Sequence, residues 1–211
     1  MLNRFTSALT WLGVVFLAGC ASLPLPLPGP AETQPPTEVQ ADLVVPGVPD
    51  QPEVSERTAN RYAEAIQAIR GRNLDEAERL LAGLTKGEPD LAGPWLNLGH
   101  VYALKGQLEA AQVALNKAVQ ANPQNCPART QLGVLLRKAG DFAEARSHYE
   151  ACLAYQPDFA PAHLNLGILN ELYIGDLPAA LASYQRYLEL QPEPEKRIQG
   201  WVLDLQRRID S

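Results

Sequence analysis

Three cysteines and three histidines carry most of the nucleophilic, redox and metal-binding potential of this 211-residue chain. Cys126 and Cys152 stand 26 apart without a pair of histidines at ligand spacing, which argues against a zinc site and leaves a disulfide or two separate thiols. His100, His148 and His163 have no readable nucleophile, metal motif or phosphate loop around them, so no cofactor is expected and the chain reads as a non-enzyme. Cys20 is set apart by what precedes it, an uncharged apolar run from Phe5 to Gly19 after Arg4. That run is too short to span a bilayer comfortably and has the length of a secretory signal core. Three amides, Asn97, Gln131 and Asn165, recur at a spacing of 34.

The elements that must position these groups repeat with the same period. Ala77, Ala111 and Ala145 stand 34 apart, as do Pro89, Pro123 and Pro157, Gly99, Gly133 and Gly167, and Leu98, Leu132 and Leu166. A fixed period of this length marks a helical array. One short helical hairpin cannot bury its own apolar face, so the copies must stack into a solenoid. The alanines, with Ala180 after a slip of one, and the glycines supply small side chains where paired helices approach. The prolines, with Pro192, end each second helix. Gly106 and Gly140 separate the two helices of a hairpin, and Asn73 with Glu76 and Asp141 with Glu144 read as capping boxes opening second helices.

These residues resemble the tetratricopeptide repeat over 58 to 193. The second repeat is the best copy, with Trp95, Leu98, Gly99, Tyr102, Gly106, Ala111, Leu115, Ala118 and Pro123 at the family's sites. In the third, Arg129 takes the tryptophan site and Cys152 a small-residue site; in the first, Glu64 and Ala65 replace the Leu-Gly pair. His163 reads as a substitute for an aromatic packing residue. From Gly167 to Ala180 is 13 residues, against 12 in the two preceding repeats, so one extra residue is expected near Tyr173 to Asp176. The resemblance implies an all-α right-handed solenoid of four hairpins, 58–91, 92–125, 126–159 and 160–193, within a domain from 57 to 193. Ile198, Trp201, Val202, Leu205 and Ile209 then form one apolar stripe on a helix within 194–211, read as a cap on the last repeat. Arg207 and Arg208 suit the negative end of that helix. Cys126 opens the third repeat's first helix and Cys152 lies near the end of its second. Antiparallel helices put those positions side by side, so a Cys126 to Cys152 bridge is geometrically open in an oxidising compartment, beside the alternative of two unbridged cysteines.

The sequence Leu17-Ala18-Gly19-Cys20 resembles the lipobox of bacterial lipoproteins. The resemblance implies a signal peptide over 1–19, lipidation of Cys20, and, because Ala21 and Ser22 follow, retention at the outer membrane facing the periplasm. Residues 20–56 would form a tether. Its stretch from 21 to 56 holds nine of the chain's 18 prolines and no aromatic residue, so it cannot build a core. In polyproline II form it would reach at most about 110 Å. That stretch carries six acidic residues and no base, whereas 57 to 211 carries 17 basic against 18 acidic residues. The repeats therefore lack the basic stripe that nucleic acid requires.

In tetratricopeptide repeats the first helix of each hairpin lines the concave face. Carried across residue by residue, the family's groove sites fall on Tyr62, Ile66, Leu96, Asn97, His100, Thr130, Gln131, Val134, Leu164, Asn165 and Ile168. The apolar members would take the side chains of a bound peptide, and neither Asn97 nor Asn165 belongs to the packing positions, so replacing them is expected to leave stability nearly unchanged. The resemblance implies a scaffold that holds another envelope protein or peptide, similar in plan to repeat lipoproteins that assist pilus, secretin or barrel assembly. An accessory subunit of a TonB-like energy-transducing system and an adaptor or regulator of cell-wall hydrolases are the alternatives.

Overall fold

The computed structural model describes residues 54–193 and 195–211. Cys20, the signal peptide and nearly all of the tether lie outside the described residues. What is described is helical: α1 (Glu56–Arg70), α2 (Leu74–Gly87), α3 (Ala92–Leu104), α4 (Leu108–Ala121), α5 (Cys126–Ala139), α6 (Phe142–Tyr155), α7 (Ala160–Leu169), α8 (Leu177–Glu189) and α9 (Lys196–Ile209). A single π turn, Asn170–Ile174, joins α7 to α8. Among the described residues no helix is long and apolar enough to cross a membrane.

Successive helices pair as hairpins, α1 with α2, α3 with α4, α5 with α6 and α7 with α8, and each hairpin packs on the next. Small residues allow this: Ala77, Ala111, Ala145 and Ala180 are fully buried at the helix crossings. Glycine faces them for a measurable reason. A Cβ on Gly133 would lie 2.5 Å from the Tyr149 ring, and one on Gly167 2.5 Å from the Tyr184 ring. The core runs along the array without a break in kind. Leu81, Leu98 and Val101 fill its first part, Leu115, Leu132, Tyr149 and Leu169 its middle, and Tyr184, Ile198 and Leu205 its end.

The tight turn inside each hairpin places one residue in the left-handed region: Gly106 at φ 75°, Gly140 at 92° and Gly175 at 80°. In the first hairpin that position belongs to Arg72, at φ 56°. A side chain there costs backbone energy of order 1 kcal/mol.

The helix caps are met only in part as the sequence suggests. Asn73 does accept from the Glu76 amide, at 3.5 Å, but the Glu76 carboxylate turns to Arg79 instead of closing the box. Asp141 occupies the N-cap of α6 and its side chain caps nothing. The side-chain caps that are made belong to Ser55, Asn73, Asn125 and Asp176.

One recurring bond was hidden by chemical dissimilarity. Trp95 Nε1 donates to the Pro89 carbonyl at 2.8 Å, Arg129 Nε to the Pro123 carbonyl at 2.6 Å, and His163 Nε2 meets the Pro157 carbonyl at 2.7 Å. A carbonyl can only accept, so His163 carries its proton on Nε2. Each donor sits six residues beyond its proline and ties the start of one repeat to the end of the previous one. His163 therefore holds a polar latch and not merely an aromatic packing site.

The extra residue of the fourth repeat is absorbed slightly earlier than expected, as the π turn. Both Gly175 and Asp176 amides close back on the Asn170 carbonyl, and the buried Asn170 side chain accepts from Arg146 Nη2 at 2.7 Å. One added residue thus widens the helix for a single turn and leaves α8 in register.

Cys126 and Cys152, both without solvent exposure, form a disulfide with Cα atoms 4.8 Å apart. At the far end, α9 packs on α8 through buried Ile198 and Leu205. Trp201 meets the Tyr184 ring at 5.5 Å, whereas Ile209, expected in the same stripe, is 39% exposed. Arg208 does more than face the helix dipole: it pairs with Glu171 at 2.8 Å and fastens α9 to the π turn.

Candidate peptide-binding face

The first helices touch in sequence, α1 with α3, α3 with α5 and α5 with α7, while the second helices make no comparable contact with one another. The row of first helices is therefore the inner side of the array. The groove residues expected from the sequence all lie on α1, α3, α5 and α7, but they divide into two groups.

Ile66, Leu96, Leu164 and Ile168 are buried, the last three inside the core clusters. They offer a partner almost no surface, which corrects the expectation that they receive its side chains. Leu96 packs in one cluster with Ala128 and Leu132 of the following hairpin, and Leu164 and Ile168 pack with Tyr184 and Tyr187 of α8 and with Ile198 and Leu205 of α9. Thr130 is likewise buried, with its hydroxyl unpaired among the described residues. Tyr62, His100, Gln131, Val134 and Asn165 are half-buried and reach the surface.

The amide row is partly committed to the fold. Asn97 Nδ2 donates to the Tyr62 hydroxyl at 2.5 Å and to the Gly93 carbonyl at 3.1 Å. Burial raises the Tyr62 pKa to about 12, with the Asn97 bond opposing, so this hydroxyl stays neutral. Asn165 Nδ2 donates to the Pro161 carbonyl at 2.8 Å, and its Oδ1 accepts from Arg137 Nη2 at 3.4 Å. Asn97 and Asn165 thus each bridge two neighbouring first helices. Asn97→Ala is accordingly expected to cost stability by about 1–2 kcal/mol, against the sequence-based expectation of near neutrality, and a urea melt beside wild type reads it. Gln131, half-buried, alone of the three makes no such bond among the described residues. His100, on α3, is held below the ordinary histidine pKa by burial, so its imidazole is neutral near neutral pH.

Arg137, on the last turn of α5, is 6% exposed, a burial that sequence reasoning did not foresee. Its guanidinium lies 5.5 Å over the Tyr173 ring of the π turn. An arginine at a solvent-facing position of an amphipathic helix gives no sign that an irregular turn in the next repeat will cover it. Among the described residues no cluster of His, Cys, Asp and Glu could hold a metal ion.

Two family models, each described as Tetratricopeptide repeat, match residues 68–132 and 130–195 and together take in more than half of the chain. This chain belongs to the tetratricopeptide-repeat family. BBSome complex member BBS4 of Bos taurus is 33% identical over 91 residues, 43% of this chain and 17% of that protein. This tetratricopeptide-repeat chain therefore spans under a fifth of that relative's length. Among solved structures, MamA from Desulfovibrio magneticus RS-1 superposes with a TM-score of 0.62 at 22% identity, covering 75% of this chain and 88% of that one. The first tetratricopeptide-repeat domain of Spaghetti (RPAP3), bound to the HSP90 peptide SRMEEVD, superposes with a TM-score of 0.53 at 22% identity, covering 57% and 94%. These likenesses show the fold, a solenoid that is typically a non-catalytic protein-interaction scaffold.

Proposed function

We propose that this protein is a lipid-anchored scaffold at the bacterial outer membrane whose inner face holds an extended segment of another envelope protein during assembly of an envelope complex. The observation that carries the binding half is the inner row of α1, α3, α5 and α7, where Tyr62, His100, Gln131, Val134 and Asn165 remain half-open above a filled core. The amide at Gln131 suits a peptide backbone, and the aliphatic and aromatic surface around it suits alternate side chains. RPAP3, which shares the fold, holds a short peptide.

The anchoring half rests on Leu17-Ala18-Gly19-Cys20. Thioether diacylation at Cys20, with an acylated amine, gives several chains, and more than one chain is needed for firm attachment. The acidic, proline-rich stretch that follows would hold the repeats away from the bilayer. Cys20→Ser is expected to move the protein from the membrane to the soluble fraction and to abolish incorporation of labelled palmitate. Membrane partition unchanged by the substitution, with no label in wild type, would refute the anchor and leave the groove untouched.

A further inference from the structure

Two guanidinium groups border the π turn, Arg137 from the end of α5 and Arg146 from the start of α6, and neither has a carboxylate within ion-pair distance among the described residues. Arg137 touches neutral groups, Asn165, the Tyr173 ring and the Tyr149 hydroxyl, and Arg146 touches Asn170. The Nε atoms of both are buried without a partner among the described residues. The π turn's own carboxylate, Glu171, is already engaged by the Tyr184 hydroxyl at 3.0 Å and by Arg208 at 2.8 Å. A cation that is nine-tenths buried and unpaired is unfavourable unless an anion arrives. Around it the π turn exposes three consecutive bulky apolar residues, Leu172 at 62%, Tyr173 at 43% and Ile174 at 42%. Lys138 stands exposed at the rim, and half-buried Val134 lies one helical turn before Arg137.

We infer that this end of the inner face receives an internal acidic segment of a partner, one Asp or Glu side chain flanked by bulky apolar residues. The carboxylate meets Arg137, and its neighbours pack on Val134 on one side and on Leu172 and Tyr173 on the other. The unpaired charge sets the sign of the ligand, and apolar surface on both sides lets the bound chain continue past the cation in either direction. The inference rests on the reading of the inner face as a peptide groove and specifies its chemistry.

The test is selection from a displayed library of random peptides on the full-length protein in detergent micelles, followed by titration of the best binder with both termini blocked. Wild type is expected to enrich peptides with Asp or Glu beside Leu, Ile, Phe or Trp. Arg137→Met should weaken the blocked peptide at least about tenfold while its melting midpoint stays level or rises, since an isosteric apolar residue removes an uncompensated charge. Changing the peptide's acid to its amide should cost wild type the same factor and cost Arg137→Met nothing more. Leu172→Ser, at an exposed position that cannot disturb the core, should weaken the peptide severalfold. A drop in melting midpoint that accounts for the lost binding would make Arg137 structural and overturn the inference, as would equal binding by Arg137→Met and Leu172→Ser. Enrichment of peptides without acidic residues would also overturn it while leaving the groove. Failure of wild type to enrich any peptide would instead contradict the groove itself.

Discussion

Gly133→Val is expected to destabilise the repeat array by about 3 kcal/mol, at the upper end for overpacking a core. A Cβ at this position would lie 2.5, 2.8 and 3.0 Å from three atoms of the Tyr149 ring, inside any real contact distance. Tyr149 cannot retreat, because it is fully buried within the central core cluster and its hydroxyl is already enclosed. The strain must therefore open the α5–α6 hairpin, and the loss spreads because each hairpin is stable only against its neighbours. Gly200→Val, at an exposed position of α9 with nothing within 4 Å of its would-be Cβ, is the control and should leave the midpoint nearly unchanged. Urea melts of the two variants read the contrast. Equal midpoints would show that close helix approach at the glycine row does not set the stability of this array.

Losing the Cys126–Cys152 bridge should have an effect of similar size. The disulfide links residues 26 apart in sequence, a loop for which the chain-entropy model gives about 3.5 kcal/mol. It pins the first turn of α5 to the last turn of α6, the open end of the hairpin whose other end is closed by Gly140. Cys126→Ala with Cys152→Ala keeps small side chains in both buried places and so isolates the cross-link. The double variant and the reduced wild type are expected to show equally lowered urea midpoints, with the slopes differing because a cross-linked unfolded chain exposes less surface. Coincident midpoints for oxidised and reduced wild type would mean that the bridge contributes nothing.

The parts of the fold that each repeat specifies alone were open to reading from the residues. A small side chain at Ala111 or Gly133 is demanded by its own hairpin, and Pro123 stops its own helix, so a period of 34 exposes both. Features that depend on a neighbouring repeat were not. Leu96 sits at a position that looks open within one hairpin and packs with Ala128 and Leu132 of the next. Trp95, Arg129 and His163 share only an N–H, so neither hydropathy nor size reveals the common bond to a proline carbonyl. The one-residue surplus in the fourth repeat was countable, yet whether it would lengthen a loop or widen a helix depended on Arg146 reaching Asn170 from the preceding hairpin. Arg137 belongs to the same class, since Tyr173 covers it only because that turn is wide.

The central claim is that the inner row of first helices is the surface through which this protein works. Its most direct test places a photocrosslinking residue at Gln131 on α5 and, separately, at Val113, which is 61% exposed on α4 in the outer row. Both variants are expressed at native level in intact cells and irradiated. The account predicts a discrete protein adduct from Gln131 that Arg137→Met diminishes, and none from Val113. An adduct from Val113 with Gln131 silent would place the working surface on the outer helices and contradict it.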